Sequence, residues 1–150
     1  MVVVIPNELI KEIAQDLDSG MKCFYHIPTG GIKSYPDPMH TDYFDEEIWQ
    51  ETIDEIDSAY HQYIAFEAME SHGSFKMMES FINGIENDAV GRRFKDAISY
   101  RKPFQNFKQL LLSYPEVREQ WFNYKNQQYI KWIEDQLETF NRSKNEPVDP

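Results

Sequence analysis

Six cationic side chains lie close together in the second half of the chain, where they could bind phosphate or carboxylate groups. They fall within residues 92–108, a stretch in which Asp96 is the only acidic residue. The six are Arg92, Arg93, Lys95, Arg101, Lys102 and Lys108. Because arginine and lysine recognise anionic groups through charge and hydrogen bonds, this basic segment is the candidate interaction surface.

Aromatic residues alternate with these cations, a composition that is also compatible with the stacking of nucleic-acid bases. They are Phe94, Tyr100, Phe104 and Phe107. Phe94, Phe104 and Phe107 keep helical spacing, however, and are expected to be buried. The net charge of -11 and the sequence pI near 4.7 also oppose long-range attraction to nucleic acid. We therefore favour a protein partner, bound here or on the aromatic faces of the last helix, and keep nucleic-acid or phosphate binding as the alternative.

The acidic residues are concentrated in the first half of the chain. Residues 1–75 hold 3 Lys/Arg against 15 Asp/Glu, and no lysine or arginine occurs between Lys33 and Lys76. Two interpretations stay open: the acidic and basic stretches are solvated faces, or they neutralise one another. Carboxylates without an apolar setting that raises one pKa do not mark a general acid and base pair.

No pattern indicates a metal, a cofactor or a catalytic residue. The four histidines, His26, His40, His61 and His72, are scattered, and the nearest cluster of potential ligands is His40 with Asp42 and Asp45. Gly30 and Gly31 follow Pro28 as a turn and lack the lysine and hydroxyl residue of a phosphate loop. The sequence therefore predicts a protein that is not an enzyme.

The single cysteine, Cys23, cannot form an internal disulfide. It lies at alternating spacing in a predicted strand beside bulky residues, which favours a small buried thiol. The longest uncharged apolar run, residues 1–5, is far shorter than the roughly 20 residues of a membrane span. We expect no signal peptide, since no basic region with a following apolar stretch and small-residue cleavage site opens the sequence. We expect a cytoplasmic protein with no membrane association; the oligomeric state is left open.

The elements that must position these residues follow from apolar spacing and turn chemistry. Leu9, Ile10, Ile13 and Leu17 predict a helix over residues 7–18 that ends before Gly20. Alternation over residues 21–35 predicts a β-hairpin, an acidic helix follows at 45–57, and residues 61–66 are expected to pair with the hairpin as a third strand.

Helical spacing continues from Ser71 onward. Asn87 or Asp88 can cap a second helix of this half, Pro103 suits the first turn of a third, and a long fourth helix runs over residues 115–140. Phe107 and Trp121 are predicted to share one core. The predicted fold is α+β: an N-terminal helix, a small three-stranded antiparallel sheet and a C-terminal helical bundle. We expect one domain over 1–140 and a frayed tail over 141–150.

Most of the chain resembles UPF0158, a bacterial family of unassigned function. The most specific part covers 103–110 (Pro-Phe-Gln-Asn-Phe-Lys-Gln-Leu), followed by 121–124 and 132–133, and weaker similarity lies upstream at 25–32, 61–64 and 78–82. The chain departs from the family block at three positions that lack its charges: Gln105, Asn106 and Gln109. The resemblance implies membership of the family and brings no reaction with it.

Overall fold

The computed structural model describes residues 2–39 and 44–145, and it confirms the predicted α+β fold. Across these residues an N-terminal helix precedes a three-stranded antiparallel sheet, and a long helix ends the chain. The helices are α1 Asn7–Asp18, α2 Glu46–Ser58, α3 Ser71–Asn83, α4 Asp88–Ile98, α5 Pro103–Leu111 and α6 Pro115–Asn145. The strands are β1 Met21–His26, β2 Ile32–Pro36 and β3 Tyr63–Phe66.

The chain divides into two compact units. Unit 1 comprises Met1–Ala68 and Tyr129–Pro150, and unit 2 comprises Met69–Gln128. Helix α6 therefore contributes its first part to unit 2 and its remaining part to unit 1. A single domain over 1–140 stays a prediction.

The sheet of unit 1 has the strand order β2-β1-β3, so β1 is central and β3 forms one edge. Cys23 lies opposite Phe66 and Tyr25 lies opposite Ile64 in the antiparallel pairing of β1 with β3. The predicted third strand is confirmed, but it begins at Tyr63 because residues 60–62 form a 3-10 turn. The hairpin turn is closed at Gly30, whose φ of 73° lies in the region that glycine occupies without strain.

Helix α1 packs its apolar stripe against the sheet of unit 1. The stripe that the sequence predicts is buried at Ile10, Ile13 and Leu17. Helix α2 lies beside β2, and Glu55 forms an ion pair with Lys33 there. This hydrogen bond to Glu55 raises the pKa of the Lys33 ammonium group.

Helix α6 extends five residues beyond the predicted end at Phe140, as far as Asn145, and a frayed tail over 141–150 stays a prediction. The side-chain amide of Asn141 explains the difference. Its Oδ1 accepts from the backbone N–H of Val3 at 2.9 Å, and its Nδ2 donates to the Val3 carbonyl at 2.9 Å. A polar residue fixes the helix end here, and apolar spacing carries no signal of such a contact.

Unit 2 is built around a cluster of buried rings and aliphatic side chains contributed by α3, α4, α5 and the first part of α6. Its buried members are Met78, Phe81, Ile82, Phe94, Phe107, Leu111 and Trp121. The prediction that Phe107 and Trp121 share one core is therefore confirmed.

Candidate interaction surface

Helices α4 and α5 carry the basic segment and are anchored to the core of unit 2 by one phenylalanine each. Of the two candidate caps, Asn87 and Asp88, it is Asn87 that caps α4, its side-chain Oδ1 accepting from the backbone N–H of Val90 at 3.1 Å. Phe94 of α4 and Phe107 of α5 are fully buried, with ring centroids 5.5 Å apart. Because these rings fix the inner faces of both helices, the charged residues beside them are directed to solvent.

The turn between α4 and α5 presents Arg101 and Lys102. Lys102 has a φ of 58°, a left-handed conformation that is unfavourable for a residue with a side chain. The side-chain amide of Asn106 closes this turn, its Nδ2 lying 3.0 Å from the Ala97 carbonyl oxygen and 2.9 Å from the Arg101 carbonyl oxygen. Two cations are thereby held on a fixed backbone.

All six cations of the basic segment are exposed. The guanidinium of Arg93 donates to the hydroxyl of Tyr114 at 2.7 Å. The other five are Arg92, Lys95, Arg101, Lys102 and Lys108. Within residues 2–39 and 44–145, no carboxylate lies within the 4.0 Å that defines an ion pair with any of these five. The local excess of positive charge is therefore available to a partner.

The aromatic residues of the segment divide into a buried and an exposed pair. Phe94 and Phe107 are buried as predicted, but the burial predicted for Phe104 is wrong, since 37% of this residue is exposed. Phe104 lies in the first turn of α5 and meets the edge of Phe75 with ring centroids 6.2 Å apart. Tyr100, at 65%, is more exposed still. Two rings thus lie on the same solvent-facing segment as the cations.

The acidic stretch and the basic segment belong to different units. The stretch between Lys33 and Lys76 lies largely in unit 1, and the basic segment lies in unit 2. Neutralisation of one by the other stays a prediction.

Cys23 is the buried thiol that the sequence predicts. Burial raises its pKa to about 12, and the negative charge of the nearby Asp16 carboxylate acts in the same direction. The thiol Sγ lies 3.8 Å from Asp16 Oδ2. Because the thiolate is the reactive form of cysteine, a thiol held protonated in the core is a poor nucleophile.

Metal-binding chemistry finds no support in the part of the chain that the structure describes, where no group of three or more potential ligands converges. His40 and Asp42, two of the three residues in the nearest sequence cluster, lie outside the described residues. None of the described helices combines the length and the hydropathy that a membrane crossing requires.

Two supporting residues of the surface do not stand out in the sequence. The hydroxyl of Tyr114 accepts a hydrogen bond from Arg93, and Asn106, which replaces a charge of the family block, closes the α4–α5 turn. One local signal was available for that turn. Lys102 precedes Pro103, and a residue before proline is disfavoured in the right-handed helical region.

The comparisons with known proteins define the class of the chain. It belongs to UPF0158, an uncharacterised protein family, whose model matches residues 3–147. A similar protein is the UPF0158 protein PA5073 of Pseudomonas aeruginosa, which is 34% identical over 65 residues. That match spans 43% of this chain and 42% of the relative, so it covers less than half of either. No solved structure gives a significant match.

Proposed function

We propose that the chain is a non-catalytic protein-interaction module whose basic segment binds an acidic surface on a partner protein. The observation that carries this proposal is the set of five exposed cations without a carboxylate partner among the described residues. An exposed charge that gains no ion pair within its own chain loses little when it pairs with a partner. The proposed compartment is the cytoplasm, in keeping with a lone buried thiol, Cys23.

The exposed aromatic rings beside the cations further support a protein partner. Tyrosine, phenylalanine and arginine are enriched at the centres of protein interfaces, where they contribute much of the binding energy. Tyr100 and Phe104 provide apolar area within the basic segment, and Arg101 lies between them in the chain. The combination suits a partner that presents carboxylates around an apolar contact.

A double charge reversal tests the proposal. The chain is cross-linked in lysate of the native cell, the captured protein is identified, and the purified partner is titrated against three forms of the chain. Arg101→Glu with Lys102→Glu is expected to weaken the affinity at least about tenfold, since two attractive contacts become repulsive. Lys11→Glu with Lys131→Glu makes the same change in net charge at exposed positions of unit 1 and is expected to leave the affinity within about twofold. Equal loss in both variants, or in neither, contradicts the proposal.

Nucleic-acid binding is the second candidate, favoured by the exposure of Tyr100 and Phe104. Base stacking on such rings next to cations is the usual mode of single-strand recognition. The same variants are titrated with a labelled single-stranded oligonucleotide at about 50 mM salt, where our proposal predicts no binding. Binding that weakens with a slope of roughly 0.7 per phosphate in a plot against log salt, and that Arg101→Glu with Lys102→Glu abolishes, would favour this second candidate instead.

A further inference from the structure

A groove of about 710 Å³ lies within unit 1, between strand β3 and the last part of α6. It is independent of the basic segment, which belongs to unit 2. One wall is the edge strand, including Ala65 and Glu67, and the other is the α6 face that carries Trp132, Asp135 and Phe140. An edge strand beside an open groove is a place where a further strand can add.

The hydrogen-bonding phase of β3 shows which backbone groups face the groove. The N–H of Ile27 donates to the Gln62 carbonyl at 2.9 Å across the junction between β1 and β3. Bonded pairs alternate in an antiparallel ladder, so Ile64 and Phe66 bond to β1 while the N–H and C=O of Ala65 point away from it. No described residue bonds to those two groups of Ala65.

The next outward-facing residue, Glu67, already has a peptide-like partner. Gln136 Oε1 accepts from the Glu67 N–H at 3.1 Å, and Gln136 Nε2 donates to the Glu67 carbonyl at 3.1 Å. Trp132 Nε1 also donates to that carbonyl, at 2.7 Å. A side-chain amide thus occupies the place of a neighbouring strand at Glu67, and the equivalent place at Ala65, two residues earlier, has no described occupant.

We propose that this groove binds a basic, extended segment of a partner protein, which adds to β3 by pairing its backbone with Ala65. Charge selects this occupant. Unit 1 holds 6 Lys/Arg against 19 Asp/Glu, a net charge of -13. The groove itself is lined by the carboxylates of Glu67 and Asp135 against the ammonium group of Lys144, and neither carboxylate forms an ion pair with a described residue. Pairing of β3 with β3 of a second copy is opposed, because it would bring two units of this charge together.

The side walls of the groove fit an alternating sequence. Trp132 and Phe140 are partly buried on α6 and offer apolar surface, while Asp135 is exposed between them. Successive side chains of an extended peptide point to opposite sides. A segment that alternates an apolar residue with lysine therefore places one type against the rings and the other near carboxylates.

The test uses fluorescence anisotropy with a labelled peptide of four lysine–valine repeats as the probe. A peptide of four glutamate–valine repeats controls for charge, and a lysine–valine peptide with N-methyl groups on alternate residues controls for backbone pairing. We expect saturable binding of the first peptide and at least about tenfold weaker binding of each control, since strand addition needs peptide N–H donors on one edge.

Two variants locate the binding. Asp135→Lys is expected to weaken the binding of the lysine–valine peptide about threefold to tenfold. Glu51→Lys makes the same charge change on the exposed face of α2 and is expected to change the affinity less than twofold. Ala65→Pro removes the backbone N–H that points away from β1 and is expected to weaken the binding of the lysine–valine peptide about fivefold to tenfold. Circular dichroism checks that each variant keeps its secondary structure. If Ala65→Pro does not fold, the comparison of Asp135→Lys with Glu51→Lys still tests whether the peptide binds in this groove.

Four results would overturn the proposal. The first is no binding of the lysine–valine peptide, and the second is equal binding of its N-methylated form, which would show that the backbone of β3 is not used. The third is concentration-dependent dimerisation that Ala65→Pro abolishes, which would make a second copy the occupant. Deletion of residues 146–150 is expected to leave the affinity for the probe unchanged; a large gain would assign the groove to the chain's own tail.

Discussion

The indole of Trp121 meets the ring of Phe107 edge to face, with centroids 4.9 Å apart and ring planes at 79°. Phe81 contacts the same indole, with centroids 5.2 Å apart. One side chain of α6 therefore joins α5 and α3, and the geometry is the one in which aromatic pairs add to the free energy of simple burial.

Replacement of this indole is expected to destabilise unit 2. Trp121→Ala removes a ring that is 7% exposed, and we expect the free energy of unfolding to fall by about 3 to 5 kcal/mol. Phe122→Ala, the next residue of the same helix and 44% exposed, is the control and is expected to cost about 1 kcal/mol or less. Urea denaturation measures both; a loss below about 1 kcal/mol for Trp121→Ala would contradict the packing described above.

The left-handed residue of the α4–α5 turn gives a prediction of opposite sign. Lys102→Gly is expected to raise the free energy of unfolding by about 0.5 to 1 kcal/mol, because glycine adopts a φ of 58° without strain. Lys95→Gly, inside α4, is the control and is expected to lower the free energy by about 1 kcal/mol. Thermal or urea denaturation decides. A destabilised Lys102→Gly variant would mean that its side chain makes a stabilising contact.

The raised pKa of the Cys23 thiol leads us to expect a loss of stability in alkaline solution. Its pKa rises from 9.0 to about 12 on folding, so the folded chain keeps the proton that the unfolded chain releases. The stabilisation is complete below pH 9 and is lost between pH 9 and 12, at up to about 1.4 kcal/mol per pH unit. Lys33 and Tyr35 also have raised pKa values and act in the same direction. Cys23→Ala isolates the thiol and is expected to show a shallower decline; equal slopes would exclude the role of Cys23.

The hydrogen bonds between Asn141 and Val3 are expected to protect the Val3 amide proton from exchange. Asn141→Ala removes both hydrogen bonds to Val3, and we expect the exchange of the Val3 amide proton to accelerate about fivefold to tenfold. Thr139→Ala is the control, since its hydroxyl bonds to the Asp135 carbonyl of the same helix. Exchange followed by NMR measures the effect, and unchanged protection of Val3 in Asn141→Ala would contradict it.

Apolar spacing and turn residues were sufficient to predict the elements of this fold. The sequence predicts Asn87 or Asp88 as a helix cap, Pro103 as a helix start and residues 61–66 as a strand, because each prediction depends on neighbours a few positions away in the chain. The structure has Asn87 as the cap, Pro103 at the start of α5 and the strand over Tyr63–Phe66. The end of α6 was not predictable in this way. It depends on Asn141 meeting Val3, 138 positions earlier, and only the folded backbone brings those groups together.

The candidate surface was predictable in composition but not in exposure. Charge counting found the six cations, yet helical spacing gave Phe104 and Phe107 the same expected burial. Their difference arises because Phe107 is surrounded by the core of unit 2, while Phe104 lies in the first turn of α5. The groove beside β3 had no sequence signal, since it depends on the bonding phase of a strand and on a glutamine 69 positions later in the chain.

The division of the chain into units sets an order of synthesis. Unit 2 is a continuous insertion, residues 69–128, between the two segments of unit 1. On the ribosome, every residue of unit 2 is therefore made before the α6 residues that complete unit 1. Until Trp132 and Gln136 are translated, the backbone of Glu67 lacks the indole hydrogen bond of the first and both amide hydrogen bonds of the second, so this end of β3 stays without its α6 partners throughout the synthesis of unit 2.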